Sequence, residues 1–318
     1  MNKYLSYTIV GLLCAATLAV SCRKPAKSGR TDTYSSGVIS FASDESFSPI
    51  VEEERYIFEV IYPNAKVNPV YTSETEAMNK LLSDSIMLVI CSRDFKKEEY
   101  ENLKARRRVP ISQKLAYDGL AIIQNNANRD SCIGVPDFKR ILEGEATQWS
   151  DIYPGSKLGE ITLVFDNKGS SAVHYVEDSI LGGKGIASKN VYATNSSPEV
   201  IDYVEQHPGA IGIIGSNWLN DKRDTTNVTF KKNIRTMRVS RFSPATLENS
   251  WLPYQYYLYN DNYPLIRTVY ALINDPRKAL PWGFAQFIAS PKGQLIILQT
   301  GLLPMYGNIT VRDVKVSD

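Results

Sequence analysis

Apolar residues in this chain occur in two alternating patterns. One is a short continuous run, typical of a strand buried in a parallel sheet, and the other is the three-to-four-residue spacing of a helix that buries one face. The runs predict strands at Val38–Ala42, Val67–Tyr71, Ile86–Cys91, Leu120–Gln124, Ile161–Phe165 and Ala210–Ile214. The spacing predicts helices at Ser48–Tyr62, Glu74–Leu82, Val135–Leu142, Ser171–Leu181 and from Pro291 to a stop at Gly301. Such alternation predicts an open α/β fold, in which ligands bind at the carboxyl ends of the strands.

The predicted helices also have predicted inward faces. In the first helix these residues are Ile50, Ile57, Phe58 and Ile61, and in the helix after Gly169 they are Val173, Val176 and Ile180. In the last helix Ser290 is the predicted cap, and Leu295 and Leu298 are predicted to point to the core.

The turn between the strand Ile161–Phe165 and the helix Ser171–Leu181 is the main candidate for a binding site. It runs from Asp166 to Gly169 and places the hydroxyls of Ser170 and Ser171 at the start of the helix. The first N–H groups of a helix have no partner within it, and the helix dipole makes this end positive. The pattern therefore favours an anion, although it also fits a serine that only caps the helix.

The first 21 residues have the pattern of a bacterial secretion signal. Lys3 precedes an apolar run from Thr8 to Val20 that is short for a membrane span. The run ends in Leu18-Ala19-Val20-Ser21-Cys22, which is similar to a lipobox, so residues 1–21 are predicted to be removed and Cys22 to be lipidated. Cleavage by the ordinary secretory peptidase is the alternative. Residues 22–36 are polar and predict a flexible tether that holds the folded body at the membrane of the periplasm or cell envelope.

Composition narrows the classes of function. The formal net charge is +2, which gives no electrostatic basis for binding nucleic acid. The chain has two histidines and four cysteines without the spacing of a zinc site, so neither a metal nor a cofactor is predicted. Apart from Cys14 and Cys22, the cysteines are Cys91 and Cys132, which either pair in an oxidising periplasm or remain as buried thiols.

Seven segments along the chain resemble, in order, one family: the phosphate-binding lipoproteins and periplasmic proteins that serve bacterial ABC importers. The segments are Ser46–Ile50, Cys91–Glu99, Tyr117–Asn125, Phe138–Trp149, Gly209–Ile214, Tyr263–Arg267 and Phe287–Pro304. The resemblance covers about Val38 to Pro304. It implies an α/β fold of the type II periplasmic-binding-protein class, a two-lobed clamshell in which each lobe is a mainly parallel sheet with helices on both faces.

The resemblance also implies how the chain divides. Lobe one is expected to contain residues 37–118 and about 240–318, and lobe two about residues 119–239. One crossing between lobes is expected at Asp118–Gln124 and the return between Arg235 and Arg267. The expected protein is a monomer without enzymatic activity.

The function that the resemblance implies is capture of an inorganic oxyanion, phosphate first, for delivery to the permease subunits of an ABC importer. Residue by residue, Ser46 and Phe47 match the family's first anion loop, Ser73 and Thr75 its second loop, and Gly169, Ser170 and Ser171 its third loop. These positions suit a buried tetrahedral oxyanion, since such a ligand needs several neutral donors converging from helix starts more than it needs a counter-charge.

The chain departs from the family's pattern at two charged positions and in the second loop. Met87 stands where the family commonly has an aspartate that accepts the ligand's proton, and Phe165 stands where it often has an arginine. The second loop, Thr72–Thr75, lacks the usual glycines. These departures favour oxyanion binding in general over phosphate in particular.

Charged neighbours of the predicted site have expected roles. Glu45 and Glu74 add negative charge beside the anion, whereas Arg93 and Lys168 are the expected compensating cations. Asp44 or Asp166 is the expected acceptor of the ligand's proton.

Three other functions are compatible with the residues. A clamshell sensor or scaffold would keep the fold with a changed pocket. A sugar or organic ligand would stack on the aromatic residues Trp251, Tyr254, Tyr256, Tyr257, Tyr259 and Tyr263. An enzyme would use Ser170, His174 and Asp178, but side chains four apart on one helix lie side by side and give no obvious place for a substrate oxyanion.

Overall fold

The strands of the computed structural model form a ten-stranded sheet and a separate two-stranded sheet. The structure describes residues 29–219 and 233–307, and both sheets belong to the larger of two compact units, Asp32–Asp318. The strands are β1 (Gly37–Asp44), β2 (Ala65–Thr72), β3 (Leu88–Cys91), β4 (Ile111–Asn125), β5 (Cys132–Gly134), β6 (Thr162–Phe165), β7 (Val191–Ala193), β8 (Ala210–Gly215), β9 (Ile234–Thr236), β10 (Arg238–Ser240), β11 (Ile266–Ile273) and β12 (Leu303–Pro304).

Helices connect most of these strands. They are α1 (Ser48–Ile61), α2 (Glu74–Leu82), α3 (Lys97–Ala105), α4 (Val135–Leu142), α5 (Ser171–Tyr175), α6 (Ser197–Gln206), α7 (Gln255–Tyr259), α8 (Leu280–Ala289) and α9 (Pro291–Gln299). Short 3₁₀ turns lie at Glu45–Phe47, Trp149–Asp151 and Ser216–Trp218, and α5 continues as a π-helical turn at Val176–Ile180. Within residues 29–219 and 233–307, no helix has both the length and the apolar character to cross a membrane.

The long strand β4 joins the two ends of the large sheet, whose order is β2-β1-β3-β11-β4-β8-β6-β7. Its first half, to Gly119, pairs with β11, and its second half, from Leu120, pairs with β8, both antiparallel. Towards the two ends of the sheet the pairing is parallel, β1 with β2 and β3, and β6 with β7 and β8. The change of partner falls at the predicted crossing, Asp118–Gln124. The division into lobes stays a prediction.

Separate hydrophobic clusters cover the two halves of the sheet. One contains Phe41, Phe58 and Phe284, whose rings pack with centroids 5.1–5.3 Å apart. Another contains Trp149 and Phe165. Burial of each of these side chains contributes on the order of 1.5–3 kcal/mol. Each half of the sheet therefore has its own source of stability.

The predicted inward face of the helix after Gly169 is confirmed at Val173 and Val176, which are buried. The inward face of α1 is confirmed as well, whereas one prediction for α9 is wrong. Ile50 and Phe58 of α1 are buried, and α1 ends at Ile61, before Pro63. In α9, however, Leu295 is 54% exposed. The reason is Gln294, whose buried amide donates hydrogen bonds to the carbonyls of Leu115 and Ile288. With Gln294 turned inward, Leu295 faces solvent.

Cys91 and Cys132 are both buried free thiols. The disulfide alternative is thus not formed. Burial of Cys91, together with the negative charge of Glu74, raises the pKa of its thiol.

Asp32 lies within the predicted tether, residues 22–36, and contacts the folded body. Asp32 is buried and its Oδ2 accepts a hydrogen bond of 3.1 Å from the backbone N–H of Leu280 at the start of α8. The last part of the predicted tether is therefore attached to the body by a helix-capping contact. The predicted signal segment and Cys22 lie outside the described residues.

Candidate functional site

Two of the predicted anion loops meet at a pair of serines. Ser46 lies in the 3₁₀ turn after β1, and Ser171 is the first residue of α5, after β6. Both are buried, and their hydroxyl oxygens are 3.0 Å apart. The carboxyl ends of two strands from opposite parts of the sheet thus bring two turns together, as the alternation of strands and helices predicted.

The carboxylate of Asp44 accepts hydrogen bonds from donors in both turns. Its Oδ1 accepts hydrogen bonds from the backbone N–H of Ser46, at 2.9 Å, and from the Ser46 hydroxyl. Its Oδ2 accepts one of 3.1 Å from the backbone N–H of Ser171. Burial and the charge of Glu74 raise the pKa of Asp44, against the effect of these donors. The turns therefore bind an oxyanion that the chain itself supplies.

Arg267 is the cation of this cluster, and the sequence-based site did not include it. It lies on β11 directly opposite Asp118 of β4. Its Nε and Nη2 are 2.9 and 2.8 Å from Asp118 Oδ2, and both side chains are almost completely buried. The other oxygen of Asp118, Oδ1, accepts from the N–H and hydroxyl of Ser216, at 3.0 and 2.8 Å. Asp118 thus balances the charge of Arg267 and fixes its orientation.

The guanidinium of Arg267 has further N–H groups, which point to the two serines. Nη1 donates to Ser171 Oγ at 2.7 Å, and Nη2 donates to Ser46 Oγ at 3.4 Å. The ring of Phe47 lies 4.7 Å from the guanidinium carbon, a cation–π contact. Ser46, Ser171 and Arg267 form a compact group of donors against the Phe47 ring. These four residues are here called the Ser46–Ser171 cluster.

Asp166 is a second buried carboxyl beside this cluster. Its Oδ1 accepts from the backbone N–H of Asn167 at 3.1 Å, whereas its Oδ2 has no hydrogen-bond partner among the described residues. Burial, and then the charge of Asp44, raise the pKa of Asp166 to about 7. The carboxyl of Asp166 therefore changes its protonation state near neutral pH.

The two glutamates predicted near the anion are held by other groups. Glu45 Oε2 accepts from the N–H and hydroxyl of Ser197 at the start of α6, at 3.0 and 2.8 Å. Burial nevertheless raises the pKa of Glu45. Glu74 is fully buried, and its oxygens contact Ser92 and His174. Burial alone would raise the pKa of Glu74, but hydrogen bonds from His174 and Ser92 outweigh it and lower the pKa.

The other predicted loop residues surround the cluster. Ser73 and Ser170 are helix caps, since their hydroxyls accept from the N–H groups of Glu76 and Val173. Gly169 lies against α2, where an added Cβ would be 3.1 Å from Thr75 Oγ1. Its carbonyl accepts from the Thr75 N–H at 3.2 Å. These residues shape the turns, while Ser46, Phe47 and Ser171 contact Arg267.

The predicted cations Arg93 and Lys168 lie elsewhere. The guanidinium of Arg93 makes two hydrogen bonds to the carboxylate of Glu99, at 2.7 and 2.8 Å, and Lys168 is exposed. Phe165 is part of the hydrophobic core. Met87 precedes β3, and its carbonyl accepts from the N–H of Asn274. The charge missing at Phe165 is supplied from β11 by Arg267.

The residues considered for an enzyme or a sugar-binding site make contacts that do not form such sites. His174 hydrogen-bonds to Glu74 and Thr75, whereas Ser170 caps α5. Tyr263 is fully buried and donates to the carbonyl of Leu120. Tyr256 and Tyr259 are exposed on α7. Among the residues that the structure describes, no group of three His, Cys, Asp or Glu side chains is arranged to hold a metal ion.

The sequence placed Arg267 in a segment that resembles the family, but it did not indicate that Arg267 contacts the two serines. Arg267 closes the segment Tyr263–Arg267, and Asp118 lies in Tyr117–Asn125, both of which resemble the family. Arg267 and Asp118 are 149 residues apart in the sequence, and they meet because of the register of β4 against β11. One sequence does not reveal such a register.

Comparison with known proteins gives consistent matches. The family model described as "PBP superfamily domain" matches residues 26–292. Among curated proteins, the chain is similar to the phosphate-binding protein PstS of Borreliella burgdorferi, with 23% identity over 273 residues that cover 84% of this chain and 89% of the relative.

Solved structures with similar folds include a protein from Clostridium perfringens with bound phosphate. Its TM-score is 0.69 with 18% identity, over 85% of this chain and 100% of the other. An ABC-type phosphate transport receptor from Vibrio cholerae has a TM-score of 0.63 with 17% identity, over 84% of this chain and all of the receptor. These matches confirm the predicted fold class, the two-lobed periplasmic-binding-protein α/β fold.

Proposed function

This chain belongs to the PBP superfamily, and from that membership we propose that it captures an inorganic oxyanion, phosphate before others, outside the cytoplasm for an ABC importer. The observation that carries the proposal is the binding of the Asp44 carboxylate by the N–H groups of Ser46 and Ser171. A bound oxyanion would use the same N–H groups, the two hydroxyls and the Arg267 N–H groups that now donate to the two serines. Donors that converge from helix starts suit a tetrahedral oxyanion with several acceptor oxygens.

The charges of the site favour an oxyanion that carries a proton. Arg267 is already balanced by Asp118, so Asp44 and Asp166 leave the site with an excess of negative charge. An anion binds there with less repulsion when a proton is shared between it and a carboxylate. Asp44 and Asp166 are the proposed acceptors of that proton. Phosphate retains a proton at neutral pH and sulfate does not, so phosphate is the favoured ligand.

Comparison with relatives supports the same ligand. The curated relative is named as a phosphate-binding protein, and the similar fold from Clostridium perfringens was solved with phosphate bound. We extend the proposal to a lipid anchor at Cys22 in the cell envelope and to permease subunits as partners. We also propose that the protein is monomeric and not an enzyme.

A second candidate function is a sensor or scaffold of the same fold that binds no anion. The observation in its favour is that Asp44 already satisfies the donors of both turns. In such a protein the carboxylate would replace the ligand permanently. In the proposed binding protein, Asp44 gives up these donors when the anion enters.

Identification of the anion that copurifies with the full chain tests the proposal. The protein is purified in buffers without phosphate, denatured, and its released anions are separated by ion chromatography. We expect phosphate in an amount comparable to that of the protein. If no phosphate is released even after incubation with millimolar phosphate and removal of the excess, the scaffold function is favoured instead.

A further inference from the structure

A second chain of hydrogen bonds, separate from the Ser46–Ser171 cluster, passes through His174. Its Nδ1 is 2.6 Å from Glu74 Oε2, and its Nε2 is 3.2 Å from Thr75 Oγ1. The other oxygen of Glu74, Oε1, accepts from the N–H and hydroxyl of Ser92, at 2.7 and 3.0 Å. Glu74 is fully buried, while 30% of the His174 side chain is exposed. His174 can therefore exchange a proton with solvent, while Glu74 is held in place by Ser92.

These contacts join two segments that are distant in the sequence. Glu74 and Thr75 begin α2, and His174 belongs to α5. The same two segments also meet where the Thr75 N–H donates to the Gly169 carbonyl at 3.2 Å. The resemblance places α2 in lobe one and α5 in lobe two. A change in these contacts would thus alter how the second and third loops are held together.

The hydroxyl of Thr75 satisfies both protonation states of His174. When the ring is neutral with its proton on Nδ1, Nε2 accepts a hydrogen bond from the Thr75 hydroxyl. When the ring is charged, Nε2 becomes a donor, so the Thr75 hydroxyl must turn its own hydrogen elsewhere. The Gly169 carbonyl is 3.4 Å from Thr75 Oγ1 and accepts it. Protonation thus adds a contact between α2 and the turn before α5, and gives Glu74 a full ion pair.

We infer that Glu74, Thr75 and His174 form a proton-controlled latch, which holds α2 to the Gly169 turn when His174 is charged and loosens when the histidine loses its proton. Thr75 and His174 are positioning residues in this inference. The latch follows from the contacts between the two segments and does not depend on which ligand the Ser46–Ser171 cluster takes.

The charged groups around His174 favour the protonated state. The hydrogen bond and charge of Glu74 on α2 raise the pKa of His174 above 6.5, and Asp44 after β1 acts in the same direction. Burial and the charge of Arg93 after β3 act against them, although Arg93 is itself paired with Glu99. Because the pKa is raised in the folded state, the contribution to stability is complete below pH 6.5 and is lost as the pH rises through the raised value.

The test uses the full chain in anion-free buffer, so the result does not depend on phosphate binding. NMR follows the Cε1–H signal of His174 as a function of pH, and hydrogen exchange follows the amide of residue 75, corrected for the intrinsic exchange rate. The variants are Glu74→Gln, Thr75→Val and His174→Gln. The control is His207→Gln, because His207 is the second of the chain's two histidines and lies at the end of α6, against Tyr203.

We expect Glu74→Gln to lower the pH at which His174 titrates. In the wild type and in His207→Gln, protection of the residue 75 amide should fall by about two- to tenfold as His174 loses its proton, the range for one net hydrogen bond. His174→Gln should remove this pH dependence. Thr75→Val should reduce it, because the contact of His174 with Glu74 remains. An unchanged His174 titration in Glu74→Gln, or an unchanged pH dependence of amide protection in Thr75→Val, would overturn the latch. Thr75 is exposed, so the Thr75→Val arm remains informative if the buried variant does not fold.

Discussion

The hydroxyl oxygens of Ser46 and Ser171 lie 3.0 Å apart although 125 residues separate them in the sequence. Each serine follows a strand that is parallel to its neighbours, and the carboxyl ends of these strands converge on one point. Asp44 and Arg267 complete the contacts there. The fold thus brings two small-residue turns together into one group of donors, which bind the carboxylate of Asp44.

The ion pair between Arg267 and Asp118 is expected to hold this group in place. Replacing Arg267 by methionine leaves the buried Asp118 carboxylate without its counter-charge, so the free energy of unfolding should fall by about 3–5 kcal/mol. Arg93→Met is the matched control, because the Arg93–Glu99 pair is partly exposed and its loss should cost about 1 kcal/mol or less. Urea denaturation measures the free energy of unfolding of both variants and of the wild type. Equal stability of Arg267→Met and the wild type would contradict the structural role of the pair.

Asp166 is expected to make stability depend on pH. Its pKa is raised from 3.8 to about 7 in the folded protein, so the folded state binds the proton more tightly than the unfolded state. Stability should therefore fall as the pH rises from about 4 to about 7. Asp166→Asn should flatten this slope, whereas Asp202→Asn, at an exposed position of α6, should keep it. The free energy of unfolding is measured at a series of pH values. If Asp166→Asn shows the same dependence of stability on pH as the wild type, Asp166 is not its cause.

Glu54 is a buried carboxyl that lies outside the proposed site. It is 1% exposed, both of its oxygens lack a hydrogen-bond partner among the described residues, and burial raises its pKa to about 9. Replacement by methionine should increase the free energy of unfolding at pH 8 by about 1 kcal/mol or more, since an unsatisfied polar group is removed. The exposed neighbour Glu53 gives the control Glu53→Met, with little change. A loss of stability in Glu54→Met would mean that Glu54 has a stabilising partner.

Lipidation is expected at Cys22, which lies outside the described residues. Cys22→Ala should move the protein from the membrane fraction to the soluble fraction, because the lipidated residue is absent. Cys14→Ala, within the apolar run of the signal, should leave the protein in the membrane fraction. Fractionation of cells followed by detection of the protein measures this. If Cys22→Ala stays membrane-bound, the anchor lies in another part of the chain.

Much of the fold could be predicted because it depends on local patterns. Continuous apolar runs such as Val67–Tyr71 identified buried strands, and small residues after Phe165 identified the turn that leads to Ser171. The inward face of α9 was predicted wrongly at Leu295, because the hydrogen bonds of Gln294 to distant carbonyls decide that face. An amphipathic pattern does not show when a polar side chain has buried partners.

The turns of the proposed site could be recognised in the sequence, but the charges beside them could not. Ser46 and Ser171 belong to turns that are recognisable by residue type. Arg267 enters the site through the register of β11 against β4, and Arg93 is paired with Glu99 across the start of α3. Both facts depend on tertiary contacts. A charged residue in the sequence therefore gave little information about which charge lies beside the serines.

Calorimetric titration with phosphate, with sulfate and simple sugars as comparison ligands, tests whether the Ser46–Ser171 cluster binds an oxyanion. The wild type should bind phosphate in preference to the others. Ser171→Ala should bind phosphate about tenfold to a hundredfold more weakly, because a buried oxyanion loses a hydroxyl partner. The neighbouring variant Ser170→Ala should keep near-wild-type affinity and lose about 1 kcal/mol of stability, because Ser170 caps α5. Absence of phosphate binding by the wild type, or equal affinity of Ser171→Ala and the wild type, would show that the cluster does not bind phosphate as proposed.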